Sequence, residues 1–172
     1  KIVKKISWIT HHQYDIPLPK NHKFTSSKFS DLYKELKTKD FYRNAVILSP
    51  NKASVHDLEI VHDREYILKI KDGSLSEKEN RRLGFKWSEI LSNRSFLAVN
   101  GTLLTCKEAL RNKIACHLAG GTHHAHESFG SGYCVFNDIA YSSRKLIKEN
   151  FVKKILIIDL DVHQGDGTAA IL

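Results

Sequence analysis

The stretch Lys153-Lys154-Ile155-Leu156-Ile157-Ile158-Asp159-Leu160-Asp161-Val162-His163-Gln164-Gly165-Asp166-Gly167 decides the fold. Its aliphatic run, Ile155 to Ile158, reads as a parallel strand covered on both faces. The run then turns polar, with Asp159, Asp161 and His163 at alternate positions. In extended backbone such positions point to one side. A second stretch repeats the design. Ile114 to Ala119 reads as a buried strand that runs into Gly120-Gly121-Thr122-His123-His124-Ala125. Strands of this kind alternate with helical patterns along the chain, which predicts an α/β fold with a mainly parallel sheet. In such sheets functional sites form at the carboxyl ends of the strands. Both polar stretches sit at those ends.

Working outward, residues 1–10 alternate as a first strand, with Ile2, Ile6 and Trp8 as its apolar members. Residues 11–29 read as a long loop, because Pro17 and Pro19 exclude a regular helix. Ser30 is placed to cap a helix over residues 31–39. Ala45 to Leu48 reads as a short strand ending at Ser49-Pro50. Leu58, Val61, Ile67 and Leu68 fit one or two helices between Ser54 and Ile70. Ser76-x-x-Glu79 is a capping box for a short helix closing at Gly84. Further helices are expected from about Ser95 to Asn112 and from Asn137 to Asn150.

A chain of 172 residues suffices for one domain with its own core, and 41% hydrophobic with 27% charged residues is the balance of a folded chain. No apolar run approaches the roughly 20 residues that span a bilayer, so no membrane partner is expected. The N-terminal Lys1 to Pro17 lacks the apolar core of a secretory signal. Cys106, Cys116 and Cys134 are odd in number, widely spaced and without a CxxC pair. That pattern argues against a disulfide framework and for a reducing, cytoplasmic setting. The net charge of +8 comes from dispersed lysines, which fit a solvated surface; a nucleic-acid partner is not expected.

The chemistry lies in the two polar stretches. Two carboxylates and an imidazole just past an apolar strand call for charge compensation, and a divalent cation supplies it. Carboxylate oxygen and imidazole nitrogen suit zinc, manganese or iron. Asp161 and His163 are the natural ligand pair; Asp159, set further back, is better placed to orient a neighbour. The two histidines after Gly120-Gly121 have the makings of an acid–base pair. A histidine near an activated water can take its proton and return it to a leaving amine, provided that a carboxylate holds its far nitrogen. Asp159 and Asp166 are the two candidates for that carboxylate, with His123 and His124 to receive them. His126 shows no obvious partner and reads as a surface residue. Gly130 to Cys134 is a Gly-rich loop whose Tyr133 can wall a narrow pocket.

Gly120 to Ala125, then Ser131-Gly132-Tyr133-Cys134-Val135-Phe136-Asn137-Asp138, then Asp159 to Gly167 together resemble the zinc-dependent histone deacetylase superfamily, with its acetylpolyamine amidohydrolase-like members. Tyr14 to Pro19 with His22 and Phe24, and Val61 to Tyr66, resemble its class IV and bacterial branch. The resemblance covers the whole chain and implies a three-layer arginase/deacetylase-type fold with its C-terminal portion missing. Residues 1–172 would form the N-terminal portion of a single catalytic domain. It implies that His123 and His124 are the tandem catalytic histidines, that Asp159 and Asp166 orient them, and that Asp161 and His163 are two of three zinc ligands. Gly132 and Tyr133 would line the acyl-lysine channel, where the family often has phenylalanine at the second position. A structural monovalent cation would sit on the backbone around Asp159, Asp161 and His163. The implied activity is hydrolysis of an acetylated lysine side chain or an acetylated polyamine.

The resemblance also implies a third zinc ligand and a transition-state tyrosine from further along, and residues 1–172 contain neither. The expectation is therefore a piece of a longer enzyme or the product of a disrupted gene, with weak zinc binding and an exposed apolar sheet edge. Two alternatives are a catalytically inactive deacetylase-like chain and a binuclear manganese ureohydrolase of the arginase type. The second would want further aspartates where this chain has Gln164-Gly165-Asp166.

Overall fold

The computed structural model describes residues 5–172. The expected strand member Ile2 lies outside them. Three short strands form a parallel sheet: β1 (Ile6–Ile9), β2 (Ala45–Leu48) and β3 (Ala115–His117), in the order β2-β1-β3. Ile6 pairs with Ala45, and Ser7 with Ala115. Side-chain alternation along β1 assigns its two faces. Ser7 Oγ donates to Glu108 of helix α5 (Glu89–Asn112) at 3.1 Å, so Ser7 and Ile9 face α5. Trp8 points the other way and packs edge-on against Phe41 and Tyr42, both within the 3-10 turn Asp40–Asn44. Strand β1, at the centre of the sheet, is therefore covered on both faces, as an α/β layer arrangement requires.

The remaining helices are α1 (Lys28–Lys37), α2 (Val55–Leu58), α3 (Arg64–Asp72), α4 (Glu77–Leu83), α6 (Asp138–Lys148) and α7 (Asp166–Ile171). The expected helical stretch from Ser54 to Ile70 is two helices. The expected capping box at Ser76 is present, with Glu79 reaching back to the Ser76 N–H at 2.7 Å. Helix α5 starts at Glu89, before the expected Ser95, because Ser88 caps it by accepting the Leu91 N–H at 3.1 Å. Its long apolar face packs against α6 and the sheet. Leu58, Ile67, Ile70, Leu91, Val99, Phe136 and Tyr141 close the main core between the helices. Burying one such side chain contributes about 1.5–3 kcal/mol.

Two expectations about the strands are corrected. Residues 153–161 form no strand; they run irregularly to a bend at 162–163. Leu156, Leu160 and Val162 are 84%, 92% and 93% exposed. The reason is physical: a strand needs a neighbour's backbone in ladder register, and apolar content alone does not supply one. The polar end of this segment is instead tied to the tandem-histidine loop. The stretch around β3 is also shorter and less buried than expected, with Cys116 exposed and Ile114 half exposed.

Candidate active site

The loop after β3 is shaped by a buried carboxylate. Asp138, at the start of α6 and 1% exposed, accepts from Gly121 N–H at 3.0 Å, Thr122 N–H at 2.8 Å and Thr122 Oγ1 at 2.6 Å. Thr102 Oγ1 on α5 donates at 2.5 Å to Oδ2, the oxygen that also takes the Gly121 N–H, while Thr122 holds Oδ1. Gly120 and Gly121 have φ of 90° and 75°, the left-handed region that glycine enters without strain. A Cβ at Gly120 would also strike Asp138 Oδ2 at 2.5 Å. So the glycine pair lets the backbone fold its N–H groups onto Asp138, and the next two residues are presented to a cleft.

Those residues are His123 and His124, whose rings lie 4.3 Å apart. His123 Nδ1 is 2.7 Å from Asp159 Oδ2, and His124 Nδ1 is 2.6 Å from Asp166 Oδ1. The pairing left open by the sequence is thereby assigned. The His123 bond, helped by the Asp161 N–H at 3.0 Å, holds the Asp159 carboxyl below its ordinary pKa. The His124 bond, aided by a second from His126, pulls Asp166 down to about 2. Each carboxylate takes an Nδ1–H, which leaves each Nε2 free to act as a base.

Asp161 and His163 stand beside them. Asp161 Oδ1 accepts from the His163 N–H at 2.7 Å, lies 3.0 Å from His163 Nδ1, and is 3.9 Å from His123 Nε2. The His163 backbone N–H leads the causes that hold Asp161 below its usual value. The His163 ring is edge-on to His124 at 5.9 Å. Asp159, Asp161 and His163 thus follow one another through short side-chain-to-backbone turns, not along a straight strand. Among the described residues no three His, Cys, Asp or Glu side chains converge at ligating distance.

A cleft of about 480 Å³ opens over these groups. Gly132 and Tyr133 form part of its wall, with φ of 52° and 67°. A Cβ at Gly132 would lie 2.7 Å from His124 Cδ2, so glycine lets the wall approach the histidine. Tyr133 packs among Phe24, Phe85 and His22. Lys28 and Arg94 line the cleft as well. Arg94 is 3% exposed, and its Nε donates to Tyr14 O at 3.3 Å. Burial lowers its pKa, opposed by nearby Tyr14 and Asp138.

Helix α7 docks onto the same loop. The Thr168 N–H donates to His123 O at 3.0 Å, and Asn137 Nδ2 bridges Ala125 O and Thr168 Oγ1 at 3.0 and 3.1 Å. The expectation for His126 is corrected: its Nε2 is 3.2 Å from Asp166 Oδ2, and its ring stacks on Phe129. Sequence reasoning also missed Arg94 and the load on Asp138. An arginine at the apolar N-terminal part of α5 was the available signal for Arg94. For Asp138 it was an acidic residue following Asn137, which caps α6 by accepting the Ala140 N–H at 3.0 Å.

The family model described as histone deacetylase domain matches residues 22–172. An uncharacterized protein of Picosynechococcus is 40% identical over 163 residues, covering 95% of this chain and 54% of that protein. The acetoin utilization protein AcuC of Staphylococcus aureus is 35% identical over 147 residues, covering 76% and 38%. Histone deacetylase 2 of Arabidopsis thaliana is 30% identical over 174 residues, covering 96% and 45%. The chain thus spans about half the length of these relatives, or less. The crystal structure of the HDA15 HD domain superposes with a TM-score of 0.79 at 17% identity, over 98% of this chain and 49% of that one, which shows the shared fold. A family match over most of the chain, on a shared fold, with two carboxylate-held histidines in one cleft, places this chain in the histone deacetylase family.

Proposed function

We propose that this chain carries the tandem-histidine part of a zinc-dependent deacetylase that hydrolyses an N-acetyl amide, on a lysine side chain or a polyamine. Residues 1–172 would be the N-terminal portion of one catalytic domain. The observation that carries the reading is the pair of adjacent imidazoles, each with its own carboxylate, in one cleft.

The donor types of Asp161 and His163 fit zinc, and these are the residues that would hold it; their number falls one short of the three protein ligands of a catalytic site. Bound there, the metal would polarise the acetyl carbonyl and acidify the attacking water. The other duties fall on this chain's own side chains. Asp159 and Asp166 hold His123 and His124 with Nε2 toward the cleft. The pair takes a proton from water as the carbon–oxygen bond forms. It returns one to the amine nitrogen as the carbon–nitrogen bond breaks. Gly132 and Tyr133 would flank the acyl chain. The implied monovalent cation fits less well, because residues 159–163 lie in an exposed, irregular segment.

The test is acetate release from an acetyl-lysine peptide and from an acetylated polyamine, by the full native polypeptide supplied with zinc. His123→Ala should abolish release and leave zinc bound. A fully active variant would refute the assigned role. The two-donor count favours a second reading, a deacetylase-like chain without activity of its own. Zinc stoichiometry separates the two: one tightly bound zinc per chain supports the first, and none supports the second. Among the described residues no helix is long and apolar enough to cross a membrane. Cys106, Cys116 and Cys134 are free, which accords with a cytoplasmic setting.

A further inference from the structure

Asp166 is shared. Its Oδ1 takes the Nδ1–H of His124 at 2.6 Å, and its Oδ2 faces His126 Nε2 at 3.2 Å. Asp159 is likewise held through both oxygens, by His123 and by the Asp161 N–H at 3.0 Å, but it meets one imidazole only. A carboxylate anchored through one oxygen can still rotate about its Cβ–Cγ bond, whereas donors on both oxygens remove that freedom.

His126 is itself held from three sides. Its ring stacks on Phe129 with centroids 4.5 Å apart and planes 19° from parallel. The guanidinium of Arg82 covers Phe129 at 4.4 Å. The His126 N–H donates to Phe129 O at 2.9 Å. Its carbonyl accepts from Nδ1 of the buried His62 at 2.9 Å, while Nε2 of His62 accepts the Asn137 N–H at 2.9 Å. Residues set so firmly are suited to fixing a neighbour's geometry.

We propose that His126 is a positioning residue: it donates Nε2–H to Asp166 Oδ2, fixes the carboxylate plane, and so locks His124 with its proton on Nδ1 and its Nε2 bare toward the cleft. The inference rests on reading His124 as a cleft-facing acid–base group. A wrong tautomer would put a hydrogen where the base must act. The ionisable groups around the unit are His123 and His163 beside His124, Cys134 on the cleft wall, Arg82 over Phe129, and His62 behind the His126 carbonyl.

The test reads the tautomer of His124 from the imidazole nitrogen spectra of the labelled protein at a mildly alkaline pH. The signal is assigned by its loss in His124→Ala. The wild type should show one form, with the proton on Nδ1. Asp166→Asn should convert it to a mixture. His126→Phe keeps a stacked ring but has no donor, and should also give a mixture. His126→Gln discards the ring and restores an N–H near the same place, and should return the single form. A purely structural role for the ring predicts the reverse order, with His126→Phe like wild type and His126→Gln disturbed. That outcome, or a single form in all variants, overturns the proposal. The spectra require neither metal nor turnover. Failure of the deacetylase reading would therefore show in the hydrolysis assay alone, and failure of this inference in the spectra alone.

Discussion

Replacing Asp138 with Asn should destabilise the protein by about 2–4 kcal/mol, although the two side chains are nearly the same size. The wild-type carboxylate accepts four hydrogen bonds in a buried site, from Gly121 N–H, both polar groups of Thr122, and Thr102 Oγ1. An asparagine can keep its oxygen toward Thr122, so those bonds survive without the help of charge. Its NH2 then faces Thr102 and Gly121. The Thr102 hydroxyl can turn to accept, because His117 Nδ1, 2.8 Å away, offers its proton another partner. The Gly121 N–H cannot turn, since it belongs to the backbone, and it is left facing another donor. Hydrogen bonds to charged groups contribute about 1.5–3 kcal/mol, and a stranded buried donor costs about 1–3 kcal/mol. In a domain of this size each kcal/mol moves Tm by about 2–4 °C. The expected fall is therefore about 5–15 °C, read by calorimetry or circular dichroism. Asp138→Ala should fall further, because it strands both backbone donors, the Gly121 and Thr122 N–H groups. A Tm within about 2 °C of wild type for Asp138→Asn would refute the reasoning that this carboxylate organises the tandem-histidine loop.

Other expectations follow from the same geometry. Burial lowers the pKa of His62 and of His117 to about 4, so the folded state holds both neutral while the unfolded chain protonates them near 6.5. Between those values the unfolded state binds more protons, so stability is full above about pH 6.5 and falls with pH, by up to about 1.4 kcal/mol per pH unit from each. Urea titrations across that range should show the decline, and a flat profile would contradict buried, neutral rings. Gly132→Ala combines a positive φ with a Cβ 2.7 Å from His124 Cδ2. It should lower stability by about 1–3 kcal/mol and displace the His124 ring, which an unshifted His124 imidazole spectrum would disprove. Leu160→Lys falls on a side chain 92% exposed. Its stability should change by less than about 0.5 kcal/mol, and a larger loss in urea would show that this segment is buried.

The chemistry of the site was legible in the sequence because it depends on residue type and short spacing. His123 and His124 are adjacent, and the carboxylates that meet them lie within one stretch of eight residues, Asp159 to Asp166. Helix ends were legible where a side chain does the work locally, as with the capping box of Ser76 and Glu79. The same local logic failed for residues 153–161. Their aliphatic pattern states a preference for extended, covered backbone, but pairing depends on what lies alongside, and no described strand does.

His126 teaches a related lesson. No neighbour in sequence marks it as bonded, because its partner Asp166 is forty residues away and arrives only when α7 docks on the loop through Thr168 and Asn137. The assignment of Asp159 to His123 and of Asp166 to His124 is likewise a matter of approach directions, which composition does not encode. The sequence by itself determined which groups are available and the α/β class, since periodicity and local hydrogen bonding are properties of neighbours along the chain. Only the tertiary structure decided which carboxylate meets which imidazole, that Asp138 gathers the glycine loop, and that the aliphatic run stands in solvent. Each of these depends on distances between segments far apart in the chain, which packing sets.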